Sequence, residues 1–215
     1  RLHEWFRASS SSLWSKCIMA ISLEKGSRID LTKTNANLTT LHFGLGWDVA
    51  GSGLGGLVKG LFGGSSSSQG SVDLDASIIV LDDQKRVIDT VYFGNLRGAG
   101  ISHSGDNRTG AGDGDDEVIP GNIPGLPSAA SSLVLTINSF TGQTFSSVAN
   151  AHCRILNKDT GEVLATYNLS AQGNHTAVVI GSLYKHNGDW KFRAIGELAQ
   201  GRTANDLKAL AQQLG

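Results

Sequence analysis

Val72-Asp73-Leu74-Asp75-Ala76-Ser77-Ile78-Ile79-Val80 reads as one β-strand. Val72, Leu74, Ala76, Ile78 and Val80 recur at period two and form an apolar face, which puts Asp73 and Asp75 together on the opposite one. The same period recurs outward from this stretch. Toward the N-terminus it runs through Ile21 and Leu23, Ile29 and Leu31, and Leu38, Leu41, Phe43, Leu45 and Trp47. Val87, Asp89, Val91 and Phe93 continue it, and strands resume at Ser132–Ile137, Ala151–Leu156, Val163–Leu169, Thr176–Tyr184 and Trp190–Ile195. Asp159-Thr160-Gly161 and His186-Asn187-Gly188-Asp189 carry hairpin-turn chemistry, and Pro120, Pro124 and Pro127 predict an irregular connector. Only the C-terminus has a helical stripe, Leu207, Leu210, Ala211 and Leu214, with Thr203 or Asn205 as N-cap. Short strands with short connections predict an all-β chain, an antiparallel β-sandwich with one or two peripheral helices including the C-terminal one.

The strand also opens the most acidic part of the chain. Ten of the nineteen Asp and Glu fall between Ser71 and Glu117, with only four of the eighteen Lys and Arg. The stretch closes on Gly105-Asp106-Asn107-Arg108-Thr109-Gly110-Ala111-Gly112-Asp113-Gly114-Asp115-Asp116-Glu117. Carboxylates packed this closely repel one another unless water or a cation sits between them. A solvated acidic loop is one outcome. The other is a hard divalent ion, and Ca²⁺ suits flexible oxygen ligands better than Mg²⁺, which demands a tight octahedron. Asp73 and Asp75 can reach a single ion from one strand face; Asp113, Asp115, Asp116 and Glu117 come from a glycine-hinged turn, and Asp48, Asp106 and Asn107 complete the candidate set. The pattern is neither an EF-hand nor a repeating calcium β-roll.

Other chemistry finds little support in the sequence. A net charge of −1 gives no basic face for nucleic acid, and no apolar run approaches the roughly 20 residues of a transmembrane helix. Two cysteines, Cys17 and Cys153, read as free thiols in a reducing compartment. His152 and Cys153 are strand neighbours and point to opposite faces, with Cys153 on the core parity; His103, a loop histidine beside carboxylates, reads as a surface group. No catalytic residues are assigned, although a metal-carboxylate enzyme such as a hydrolase is the alternative to a binding module.

Residues 1–18, with Trp5, Trp14 and a serine run, differ from the rest of the chain and read as an extension or an N-terminal arm ahead of a single domain over 19–215. A Gly/Ser-rich insertion occupies 49–70. Its Gly51-Ser52-Gly53-Leu54-Gly55-Gly56 matches a dinucleotide fingerprint, but Asp48-Val49-Ala50 separate it from the strand before it and the glycines and serines after it cannot sustain a helix of three turns. Leu54, Leu57, Val58, Leu61 and Phe62 form a small apolar stripe there, which could pack on the chain's own core, on a second copy or on a membrane surface.

Taken together, Met19-Ala20-Ile21-Ser22-Leu23-Glu24-Lys25-Gly26, Gly44-Leu45-Gly46-Trp47-Asp48, Asp73-Leu74-Asp75-Ala76-Ser77 and the two glycine-acid motifs between Gly105 and Glu117 resemble the TerD family of tellurium-resistance and stress-response proteins. Later segments, among them Tyr167-Asn168-Leu169-Ser170 and Glu197, agree with it over about residues 19–215. The resemblance implies a cytoplasmic bacterial β-sandwich that binds Ca²⁺, typically two ions, between the Asp73-Leu74-Asp75 strand and the Gly105–Glu117 loop. It further implies partners among other stress-response proteins, some of them near the inner membrane, and no established catalysis.

Overall fold

The computed structural model of the chain describes residues 21–22, 24–31, 38–49, 72–108, 114–168 and 173–215. The N-terminal extension, most of the Gly/Ser insertion with its apolar stripe, and Asp113 lie outside the described residues. Two sheets stack face to face. The first contains β1 (Ile21–Ser22), β3 (Thr40–Val49), β6 (Arg97–Gly98), β7 (Ile101–Ser102), β8 (Glu117–Asn122), β10 (Val148–Asn157) and β11 (Val163–Asn168). Their spatial order is β1-β11-β10-β3-β8-β7-β6. The second contains β2 (Arg28–Asp30), β4 (Leu74–Leu81), β5 (Val87–Val91), β9 (Ser132–Ser139), β12 (Ala177–His186) and β13 (Asp189–Ala199), in the order β2-β13-β12-β9-β4-β5. All pairings are antiparallel except that of β1 with β11. The sandwich and its C-terminal helix therefore match the sequence reading.

Alternation explains the layers. Leu41, Phe43, Leu45 and Trp47 of β3 face Leu74, Ala76, Ile78 and Val80 of β4, with Leu133, Leu135, Ile137, Trp190 and Phe192 closing the core between the sheets. The outer face of the second sheet is apolar at one part only. There Ile79, Leu81, Val134, Val179 and Ile195 receive Leu207 and Ala211 of the helix α1 (Ala204–Leu214). The Asp206 carboxylate accepts the Thr203 N–H at 3.0 Å, so Thr203 rather than Asn205 is the N-cap. Asn187 and Gly188, with φ of 55° and 88°, make the tight turn of the β12–β13 hairpin.

The proline-marked connector departs from the sequence expectation at its first residue. Pro120 sits inside β8, opposite His42 of β3. Asn122 and Val118, two residues to either side, turn their backbone groups toward Gly100 and Ser104, away from β3. Pro120 shares that orientation, so its missing N–H removes no bond from the β3–β8 ladder.

Leu207 is 1% exposed and is the helix's main anchor. Leu207→Ala should cost about 2–5 kcal/mol in a denaturant titration, whereas Lys208→Ala on the same helix should stay within about 0.5 kcal/mol of the parent.

Candidate metal centre

The site begins with an incomplete sheet. β4 pairs with β9 over its whole length, but β5 reaches only Ile78–Leu81. The other edge of β4 from Leu74 to Ser77 therefore has no strand beside it among the described residues. Two side chains take the place of that strand. Ala76 N–H donates to Glu117 Oε2 at 2.7 Å, and His103 Nε2 lies 3.2 Å from the Ala76 carbonyl. The Gly105 N–H donates to His103 Nδ1 at 3.1 Å, which places the ring proton on Nε2 and makes that nitrogen the donor to Ala76. Glu117 Oε1 accepts the Asn107 N–H at 3.3 Å. Both Glu117 oxygens are thus committed to protein donors, and the residue is fully buried.

The acidic loop is tied to the first sheet by the next two acids. Asp116 Oδ2 accepts the Trp47 N–H at 2.9 Å, and its Oδ1 accepts Asn107 Nδ2–H at 3.0 Å. Asp115 receives Arg154 Nε on both oxygens, at 2.7 and 2.9 Å. The loop can lie against β3 because Gly44 and Gly46 have no side chains there. A Cβ on Gly44 would overlap the Asp115 carboxylate, and one on Gly46 would meet the Gly114 carbonyl and the His152 ring. Trp47 joins the two halves of the site: its indole N–H donates to the Val72 carbonyl at 3.1 Å, one residue before Asp73.

Held this way, Asp106 meets the strand acids. Asp73, Asp75 and Asp106 each offer a carboxylate oxygen within 4.8 Å of the others. Asp73 and Asp75 are 4% and 2% exposed, and Asp73 Oδ1 and Asp75 Oδ2 have no hydrogen-bond partner. Burial first, then the charges of Glu117, Asp73 and Asp106, push the Asp75 carboxyl up to about 8. Burial and Asp106 raise Asp73 against a smaller opposing pull from Arg108. Burial also raises Asp116 and Glu117, although hydrogen bonds oppose it in both. Three converging carboxylates, two of them buried and each with an unpartnered oxygen, fit a hard cation with oxygen ligands, with water or backbone carbonyls filling its remaining positions.

The nine sequence candidates thus separate. Asp73, Asp75 and Asp106 converge. Asn107, Asp116 and Glu117 form a hydrogen-bonded brace beside them, Asp115 is paired with Arg154, Asp48 is exposed near the end of β3, and Asp113 is outside the described residues. His103 is not the surface group expected of a loop histidine. Its side chain is fully buried, 3.5 Å from Glu117 Oε2. Burial lowers its pKa, but the hydrogen bond with Glu117 and that carboxylate's charge outweigh it, and the net shift is upward. No local sequence signal marks Glu117 or His103 as edge-closing groups, because the gap they fill is on a distant strand. Cys153 lies in the core as expected, with its thiol pushed up to about 12 by burial.

Gly44→Ala tests how the loop is seated. The new methyl should displace Asp115 from Arg154 and cost about 1–3 kcal/mol of stability, the usual penalty of overpacking, measured by chemical denaturation.

The family profile described as TerD domain matches residues 19–214. The tellurium resistance protein TerZ of Serratia marcescens is 46% identical over 189 residues, covering 87% of this chain and 94% of that protein. General stress protein 16U of Bacillus subtilis is 39% identical over 207 residues, covering 92% of this chain and all of its counterpart. A crystal structure of a Streptomyces coelicolor homologue of the telluride-resistance protein TerD superposes with a TM-score of 0.66 at 17% identity, over 83% of this chain and 99% of that one, a likeness of fold. The chain belongs to the TerD family of tellurium-resistance and stress-response proteins.

Proposed function

We propose that this chain is a non-catalytic Ca²⁺-binding module of a tellurite, phage or envelope stress response, acting as a calcium-dependent scaffold. The observation that carries the calcium reading is the convergence of the Asp73, Asp75 and Asp106 carboxylates, of which Asp73 and Asp75 each have a buried oxygen without a hydrogen-bond partner. A cation there removes the repulsion that burial imposes on Asp75 and supplies the partner those oxygens lack. A second calcium, which the family resemblance implies, belongs to the same reading. The scaffold role is supported by the relatives' names, which speak of resistance and stress rather than of a reaction. It is also supported by Cys153, the cysteine among the described residues, whose buried thiol is no nucleophile. The proposed setting is cytoplasmic, with other stress-response proteins as partners, some near the inner membrane. No helix among the described residues is long and apolar enough to cross a membrane.

Calcium should raise the melting temperature by mass action, equivalent to about 2.7 kcal/mol at one hundred times the dissociation constant. Asp73→Asn with Asp75→Asn should abolish that gain while stabilising the calcium-free protein at pH above about 8, where Asp75 would otherwise be a buried charge beside Asp73. An unchanged melting temperature across a calcium titration overturns the reading.

The pH dependence follows from Asp75. An acid raised from 3.8 to about 8 binds its proton more tightly in the folded than in the unfolded chain. The calcium-free fold therefore loses stability as pH climbs through that window. Calcium must displace the proton, so affinity measured by calorimetry should rise with pH by up to about tenfold per unit and level off above about 8.

A further inference from the structure

The outer face of the second sheet carries a second polar site, at the end of β4 remote from the acids. From Asp75 to Leu81 the strand runs six residues, roughly 20 Å at 3.3 Å per residue. Beyond Leu81, where α1 ends, a cleft of about 690 Å³ opens over β2, β12 and β13. That volume lies in the roughly 300–1,000 Å³ range of small-molecule sites. Five Lys and Arg line it against two acids, Asp30 and Asp83.

The register of the strands sets two of these cations against each other. Arg28 of β2 and Arg193 of β13 are direct cross-strand partners, as are Asp30 and Lys191 in the next outward-facing row. Lys191 and Asp30 form an ion pair at 3.3 Å, an ordinary cross-strand match. Arg28 and Arg193 are the reverse, like charges on Cβ atoms about 5 Å apart, an arrangement that destabilises a sheet. Arg193 gives one guanidinium N–H to the Leu214 carbonyl at the end of α1, while its Nε is buried without an acceptor. Among the described residues Arg28 makes no ion pair. Lys185 is not part of that row: it lies over the Trp190 ring at 5.2 Å, on the opposite face of β12 and β13. Tyr184, opposite Lys191 on the same outward face, adds a phenol to the lining.

We propose that this cleft is an oxyanion site in which Arg28 and Arg193 hold the phosphate group of a phosphate-bearing ligand. The Arg28 guanidinium and the remaining N–H groups of Arg193 suit the oxygens of one phosphate, and the anion relieves the repulsion between the two charges. The Tyr184 hydroxyl, on the same outward face, is placed for the rest of the ligand. The site is independent of calcium and of the three-acid cluster.

The test is a titration of the calcium-loaded full chain with ribose 5-phosphate, with ribose as control, followed by backbone amide NMR. Saturable shifts at residues 28–30 and 182–193 with ribose 5-phosphate, and none with ribose, are expected. Arg28→Ser should weaken binding by about tenfold or more, the loss of a charged hydrogen-bonding partner. It should also raise the melting temperature of the unliganded protein, which a merely structural arginine would not do; Arg28→Lys should recover part of the affinity. Co-sedimentation with phosphatidylglycerol vesicles but not with phosphatidylcholine vesicles, lost in Arg28→Ser, would assign the phosphate to a lipid headgroup and support the site. Absence of both responses, shifts confined to the residues around Asp73 and Asp106, or unchanged binding in Arg28→Ser would overturn it.

Discussion

The unpaired edge of β4 is the constraint on which the acidic end of the molecule depends. A buried backbone N–H and C=O left without partners cost about 1–3 kcal/mol each, and β5 is too short to supply them at Ala76. Glu117 and His103 supply them from the opposite sheet and its loop. That choice dictates much else. Burying Glu117 requires donors for its second oxygen, which Asn107 provides. Seating Asn107 brings its neighbour Asp106 over the strand, and Asp106 completes the cluster with Asp73 and Asp75. The candidate centre is therefore not a loop appended to a finished sandwich. It is how the second sheet closes one of its edges.

Two kinds of acid coexist in this region. Asp115, Asp116 and Glu117 each have protein donors, and they fix where the loop lies. Asp73 and Asp75 have buried oxygens with none; the start of β4 fixes where they stand, and the loop brings Asp106 to them. Among acids of the first kind, Asp116 and Glu117 have hydrogen bonds that oppose the upward push of burial. Asp73 and Asp75 are raised by burial and then by neighbouring carboxylates, Asp106 for both and also Glu117 and Asp73 for Asp75. This division explains why a run of similar residues in sequence does not act as a single ligand set.

Much of this was legible in the residues because it is local. The period-two runs of β3 and β4, the stripe of α1 and the common face of Asp73 and Asp75 each follow from spacing alone. The glycines of Gly44-Leu45-Gly46 could be recognised as a motif, but their purpose emerges only when Asp115 and His152 are seen lying over them. Pro120 reads as a strand breaker until β8 is found to have a sparsely bonded side. Glu117 reaches Ala76 across 41 residues, and Arg28 meets Arg193 through the pairing of β2 with β13. Long-range register decides both contacts, and no window of sequence contains it.

β4 also gives the molecule a direction. Its first residues stand among the unpaired carboxylates and its last beside the arginine-lined cleft, so a chain whose charges nearly cancel is an electric dipole along that strand. Such a particle is turned by a field before it makes contact. Its two poles favour different neighbours, and head-to-tail approach of two copies is attractive where head-to-head is not. A cation taken up at the negative pole shrinks the dipole moment and leaves the positive pole to decide which way the protein faces a charged surface.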